Sequence, residues 1–129
     1  MAMSETISRM GVATPYLVVA DGNAQVEFLE KAFDAEVVFG PKEMPGRKFG
    51  HCEVRVMNSI VMLGEPPEGK PFPGMVYIQV EDCDAAYEAL IAAGATPLMP
   101  PADMDEGCRH GGVVDMNGNQ WWVGTEPNG

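Results

Sequence analysis

Apolar residues recur along this chain in short runs of two periods, and the runs come in the same order twice. Pro15 to Ala20 (PYLVVA) and Met75 to Val80 (MVYIQV) are rich in β-branched and aromatic residues, which predicts strands. An Asp follows each run, Asp21 and Asp82, a residue whose carboxylate caps the free amides of a first helical turn. Helices are predicted over 23–33 and 84–93. In the first, Val26, Leu29 and Phe33 fall three and four apart on one face, and in the second Tyr87, Leu90 and Ile91 do, with Gly94 as the stop. Three strands follow in each case, near 35–39, 49–57 and 60–64, then near 96–99, 111–116 and 120–125. Asn58-Ser59 and Asn117-Gly118 are the predicted hairpin turns.

The order strand, helix, three strands is thus repeated, and the residues repeat with it. At an offset of 61, Tyr16-Leu-Val-Val-Ala-Asp21 falls on Tyr77-Ile-Gln-Val-Glu-Asp82, and Ala24, Glu27, Leu29 and Ala32 fall on Ala85, Glu88, Leu90 and Ala93. At an offset of 59, His51 to Asn58 falls on His110 to Asn117. These registers predict one domain over 1–129. Repeat 1 spans about 12–64, a Pro- and Gly-rich linker spans 65–74, and repeat 2 spans about 75–126.

With 46% apolar residues the chain can build a core without staples, and its 15 Gly and 11 Pro fit many short elements. The net charge of −11 argues against nucleic acid and anionic membranes, which need clustered Lys and Arg. Gly46-Arg47-Lys48 is too short to supply such a patch. Cys52, Cys83 and Cys108 contain no Cys-x-x-Cys pair and read as reduced, inert thiols. The first eleven residues hold no secretory apolar run, and no stretch approaches the roughly 18 apolar residues of a membrane span. A soluble, cytoplasmic protein is expected.

Five stretches carry a resemblance: Pro15 to Asp21, Ala32 to Glu36, Val80 to Asp82, Ala92 to Thr96, and Gly107-Cys-Arg109 through Val114-Asp115 to Gly118-Asn-Gln-Trp121-Trp122. In order and spacing they resemble the glyoxalase/bleomycin-resistance/dioxygenase superfamily, the vicinal oxygen chelate fold, and more narrowly its PhnB-like branch. The resemblance implies an α+β fold in which two βαβββ repeats form a curved mixed sheet enclosing a cleft, and a homodimer, side by side or swapped. In catalytic members one metal is held by the first and last strand of each repeat. The matching positions here are Thr14, Met62, Met75 and Trp122. A hydroxyl, two thioethers and an indole do not suit a divalent catalytic metal. The expectation is therefore no cofactor, and an apolar, polarizable floor for an organic ligand.

Further candidates come from strand alternation. Tyr16 and Tyr77 share faces with Thr14 and Met75, and with Gln79 and Gln120 they supply polar groups to orient a ligand. Trp121 and Trp122 point to opposite faces, Trp122 to the cleft. His51, Glu53 and Arg55 share one face of a strand, either as a cleft cluster able to transfer protons or as a solvated face with an Arg–Glu pair. His110 is the repeat partner of His51, and the loops 40–48 and 99–109 are candidate lids. Two function classes stay open: a metal-free binder of a small organic molecule, acting in drug or metabolite sequestration, and a glyoxalase- or dioxygenase-type enzyme. The enzyme would use His51 and Glu53, or a divalent metal at a non-standard site.

Overall fold

The computed structural model describes residues 5, 11, 13–45, 47–67, 70–105 and 107–126, with only the backbone of Met44, Arg47 and Lys48. Most of the amino-terminal stretch, and the basic side chains of Gly46-Arg47-Lys48, lie outside the described residues.

The elements run β1 (Tyr16–Val18), α1 (Gly22–Phe33), β2 (Glu36–Met44), β3 (Arg47–Val56), β4 (Ser59–Gly64), β5 (Met75–Gln79), α2 (Cys83–Ala92), β6 (Thr96–Asp103), β7 (Arg109–Val114) and β8 (Gln120–Thr125). This is βαβββ twice, an α+β fold. The strands hydrogen-bond as two four-stranded mixed sheets, β1-β4-β3-β2 and β5-β8-β7-β6, in which β1 and β5 run parallel to their neighbours. A bridge between Val18 and Phe72 ties the linker to β1. No helix among the described residues is long and apolar enough to cross a membrane.

Both helices start where a carboxylate meets their free amides: Asp21 accepts from Ala24 N and Asp82 from Ala85 N, each at 3.0 Å. The buried seam of α1 differs from the expected one. Gln25, Phe28 and Leu29 are buried, whereas Val26 and Phe33 are only half-buried. Phe28 and Phe33 pack on Trp121 of the second sheet, with centroids 6.3 and 5.9 Å apart, so the helix is turned toward the other repeat. In α2 the seam is Cys83, Tyr87 and Leu90, with Ile91 at its margin. One apolar core takes Leu17, Cys52, Val54, Val61 and Leu63 from the first sheet and Val113, Trp121 and Val123 from the second. By period two, the opposite faces turn outward.

A polar network crosses this core. The Asp115 carboxylate accepts from Gln25 Nε2 and Trp121 Nε1, both at 2.8 Å, and from the backbone amides of Asn117 and Asn119 at 2.9 and 3.0 Å. Gln25 Oε1 accepts from the side-chain amides of Asn117 and Asn119, and Asn119 Oδ1 accepts from Gly74 N. Helix α1, the β7–β8 loop and the linker are thereby joined.

Three local expectations need correction. The first hairpin turns at Met57-Asn58, because Val56 pairs with Ser59. The second has a loop of Met116, Asn117 and Gly118 closed by Asp115 N to Asn119 O at 2.8 Å, with Gly118 at φ 84°; a carboxylate-capped loop replaces the two-residue Asn-Gly turn. The candidate lids are largely strand: 40–44 and 47–48 extend β2 and β3, and 99–103 extend β6. Register shifts in β2–β3 and β6–β7 carry the strands past Gly and Pro residues that read as loop. The edge strands β2 and β6 contain Pro41 and Pro97, Pro100 and Pro101, which have no amide to donate.

Candidate functional site

The outward faces of the two sheets carry the candidate residues. In the first sheet, Met62 is in register with both Tyr16 and Glu53. The β3–β4 pairing has no bulge and is displaced by two residues from the expected register. An even displacement preserves the face, so His51, Glu53 and Arg55 do lie with Met62 on the outward side. His51 stacks on Tyr16 with centroids 5.8 Å apart and an interplanar angle of 26°, and Phe39 approaches it at 5.8 Å. Its Nε2 lies 3.2 Å from Glu53 Oε2. Glu53 is 7% exposed, an acid withdrawn from water beside a half-buried imidazole. Arg55 meets Glu36 at 3.4 Å on the exposed side, the Arg–Glu pairing that was the rival account of this strand.

The second sheet repeats the arrangement. Tyr77 is in register with Trp122, and Trp122 with Gly112. His110 sits edge-on to Tyr77 at 6.2 Å and to Trp122 at 6.0 Å, each near 88°, so it belongs to this face and not to a loop edge. Gln120 Oε1 accepts from Trp122 Nε1 at 3.0 Å and fixes the indole. Trp121 is fully buried on the inner face, as alternation requires.

Sequence reasoning missed the glycines beneath these rings. A Cβ at Gly64 would lie 2.8 Å from the Tyr16 hydroxyl, and one at Gly124 would collide with that of Tyr77. Each tyrosine lies across the last strand of its repeat because a glycine leaves it room. The signal was present: Gly64 and Gly124 stand 60 apart, the offset of Met62 and Trp122.

Thr14 precedes β1 and is half-buried, Met62 and Trp122 are half-buried, and Met75 and Gln79 are exposed. Thr14 and Met62 thus belong with the first sheet, Met75 and Trp122 with the second. Among the described residues, the ring contacts of Tyr16, Phe39 and His51 stay within the first sheet, and those of Tyr77, His110 and Trp122 within the second. An open groove of about 1010 Å³ runs between the β3–β4 hairpin and β5; it takes in Tyr77 and Gln79 but not His51, Glu53 or Trp122.

The residues at the superfamily's metal positions do not fit a divalent ion, and among the described residues no three His, Cys, Asp or Glu side chains gather as a ligand set. Burial, then the Glu53 charge, pushes the Cys52 thiol up to about 11, which leaves it protonated and unreactive. Burial foremost, then Glu126, Cys108 and Cys83, raises the Tyr77 phenol, so this hydroxyl stays a hydrogen-bond donor.

A protein of Mycobacterium bovis without assigned function is 33% identical over 123 residues, covering 86% of this chain and 80% of its own. A superfamily member from Sphaerobacter thermophilus superposes with TM-score 0.72 at 27% identity, covering 89% of this chain and 96% of its own. TioX from Micromonospora sp. ML1 superposes with TM-score 0.73 at 22% identity, over 89% of this chain and 99% of its own, a likeness of fold alone. The family model for the Glyoxalase/Bleomycin resistance protein/Dioxygenase superfamily matches residues 9–123, and the chain belongs to that superfamily.

Proposed function

We propose that this chain binds a small organic molecule on the outward sheet faces without a metal at the superfamily's positions, in a sequestering role. The observation that carries the reading is that Thr14, Met62, Met75 and Trp122 stand where metal-holding relatives need imidazole and carboxylate, with Tyr16 in register with Met62 and Tyr77 with Trp122. Aromatic and thioether surfaces of this kind stack on flat ligands. Tyr16 and Tyr77 are 48% and 44% exposed, and Met75 69%, surface that a ligand or a second copy of the chain would cover. A homodimer is part of the reading, as are the PhnB-like placement, which rests on the sequence motifs, and a cytoplasmic location, which the free thiols support.

Metal analysis of untagged protein tests it. Zn, Mn, Ni and Fe are expected well below one equivalent, with thermal-shift screening then returning organic ligands. A stoichiometric transition metal would end the reading. The His51–Glu53 contact favours a second reading, acid–base catalysis with His51 as the base, and turnover lost in His51→Ala and Glu53→Gln would establish it.

A further inference from the structure

The outward face of the second sheet holds an indole laid flat. A Cβ at Gly112 would stand 2.5 to 2.6 Å from three carbons of the Trp122 ring, near-equal distances that put the indole face-on above the bare strand. Its in-plane Nε1–H is taken by Gln120 Oε1 at 3.0 Å, which fixes the ring in rotation. His110 stands beside it as a wall, its plane 88° from that of the indole and the centroids 6.0 Å apart. One face of the half-buried Trp122 therefore rests on β7 and the other turns away from the sheet. The first repeat builds no such bed, because Glu53 fills the position of Gly112 and Met62 that of Trp122.

The charge around this bed has one sign. From Met75 to Glu126 the chain carries nine Asp and Glu residues and a single Lys or Arg, Arg109. Arg109 has the opposite parity from His110 and Gly112 on β7, and its guanidinium is held by Asp84 at 3.0 Å and Asp103 at 3.1 Å. Across the sheet the row through the indole runs Tyr77, Trp122, Gly112, Met99, without a charge. Burial first and then the Glu126 charge raise the Tyr77 phenol, so the potential beside this row is negative. A ring face is itself the negative side of the aromatic quadrupole, and indole attracts cations best among the side chains. An anion over Trp122 is repelled by ring and acids alike, whereas a cation is drawn by both.

We infer that Trp122 is the platform for a flat aromatic cation whose positive charge lies in the ring system itself, bound on the second sheet alone. This rests on the binding role proposed above and names its ligand class. With the charge in the stacked ring, one contact supplies both apolar burial and electrostatic attraction, and no arm toward the first sheet is needed.

The test is calorimetric titration of the full chain at about pH 8, above the ordinary histidine range. Its three probes share one ring system: N-methylquinolinium, quinoline and quinoline-6-carboxylate. The cation is expected to bind about two- to fivefold tighter than quinoline, the worth of a partly exposed cation–π contact, and the carboxylate more weakly than either. In Trp122→Leu the cation and quinoline should bind equally. Two-dimensional NMR of the parent chain serves if that variant does not fold. On titration with the cation the Trp122 indole N–H signal should move, and that of Trp121, buried and bonded to Asp115, should stay. A cation-to-quinoline ratio below about twofold in the parent chain would overturn the inference. So would a ratio that survives Trp122→Leu, a stationary Trp122 signal, or failure of all three probes to bind at millimolar concentration. None of these touches the binding role, which stands or falls on the metal analysis and ligand screen.

Discussion

The Asp115 network gives the most demanding stability test, because its polarity is set by one residue that can only accept. In Asp115→Asn, one carboxylate oxygen becomes an amide. Whichever way that amide is turned, it faces two donors: Gln25 Nε2 and Trp121 Nε1, or the backbone amides of Asn117 and Asn119. Flipping Gln25 does not help, since its Oε1 already receives the amides of Asn117 and Asn119 and its NH2 would then confront them. Two N–H groups lose their acceptor in the core. Each costs about 1–3 kcal/mol, so the variant should lose about 2–6 kcal/mol, a large share of the roughly 5–15 kcal/mol a domain holds. Guanidinium denaturation followed by far-UV circular dichroism measures it. Adding Gln25→Glu supplies an acceptor to the new side-chain amide but none to Trp121, and should recover about half. A loss below about 1 kcal/mol in the single variant would refute the reasoning.

Other expectations are simpler to check. Gly124→Ala places a methyl on the Tyr77 hydroxyl and should cost about 1–3 kcal/mol; Tyr77→Leu in the same chain should restore stability, and a melting curve that the added methyl leaves unmoved would contradict the packing. Cys52 has a folded pKa raised from 9.0 to about 11, so the folded state holds the proton more tightly than the unfolded one. Its contribution is full below pH 9 and is lost as pH rises to 11; melting temperature in Cys52→Ala should fall less over that window than in the parent chain. Iodoacetamide at about pH 8, near the ordinary thiol range, should modify Cys108, which is half-buried, before Cys52 or Cys83, which are buried; peptide mass spectrometry reads the order, and early labelling of Cys52 would count against its burial.

The duplication, the element order and both helix caps were legible because each depends on residues close in sequence. Asp21 and Asp82 cap the helices they precede. That His51, Glu53 and Arg55 share one face was legible through parity alone, and survived a shifted turn because side chains repeat every two residues, but which way that face turns was not. What escaped was set by distant partners. Gln25 reads as a surface residue of a helix and is fully buried, because Asp115 and Asn119, 90 and 94 positions away, satisfy it. The lengths of β2 and β6 depend on register shifts against neighbours, which local patterns do not reveal. The role of Gly112 is a volume, visible only once Trp122 is placed above it.

The prolines of β2 and β6 limit what the fold can become. An incoming strand at either outer border would meet positions that cannot donate, Pro41 on one side and Pro97, Pro100 and Pro101 on the other. Sheet extension is thereby hindered at the β2 and β6 borders, which weakens the template on which fibrils grow there. The opposite borders, β1 and β5, hold no proline within their strands, so copies of the chain that add strand to strand would meet there.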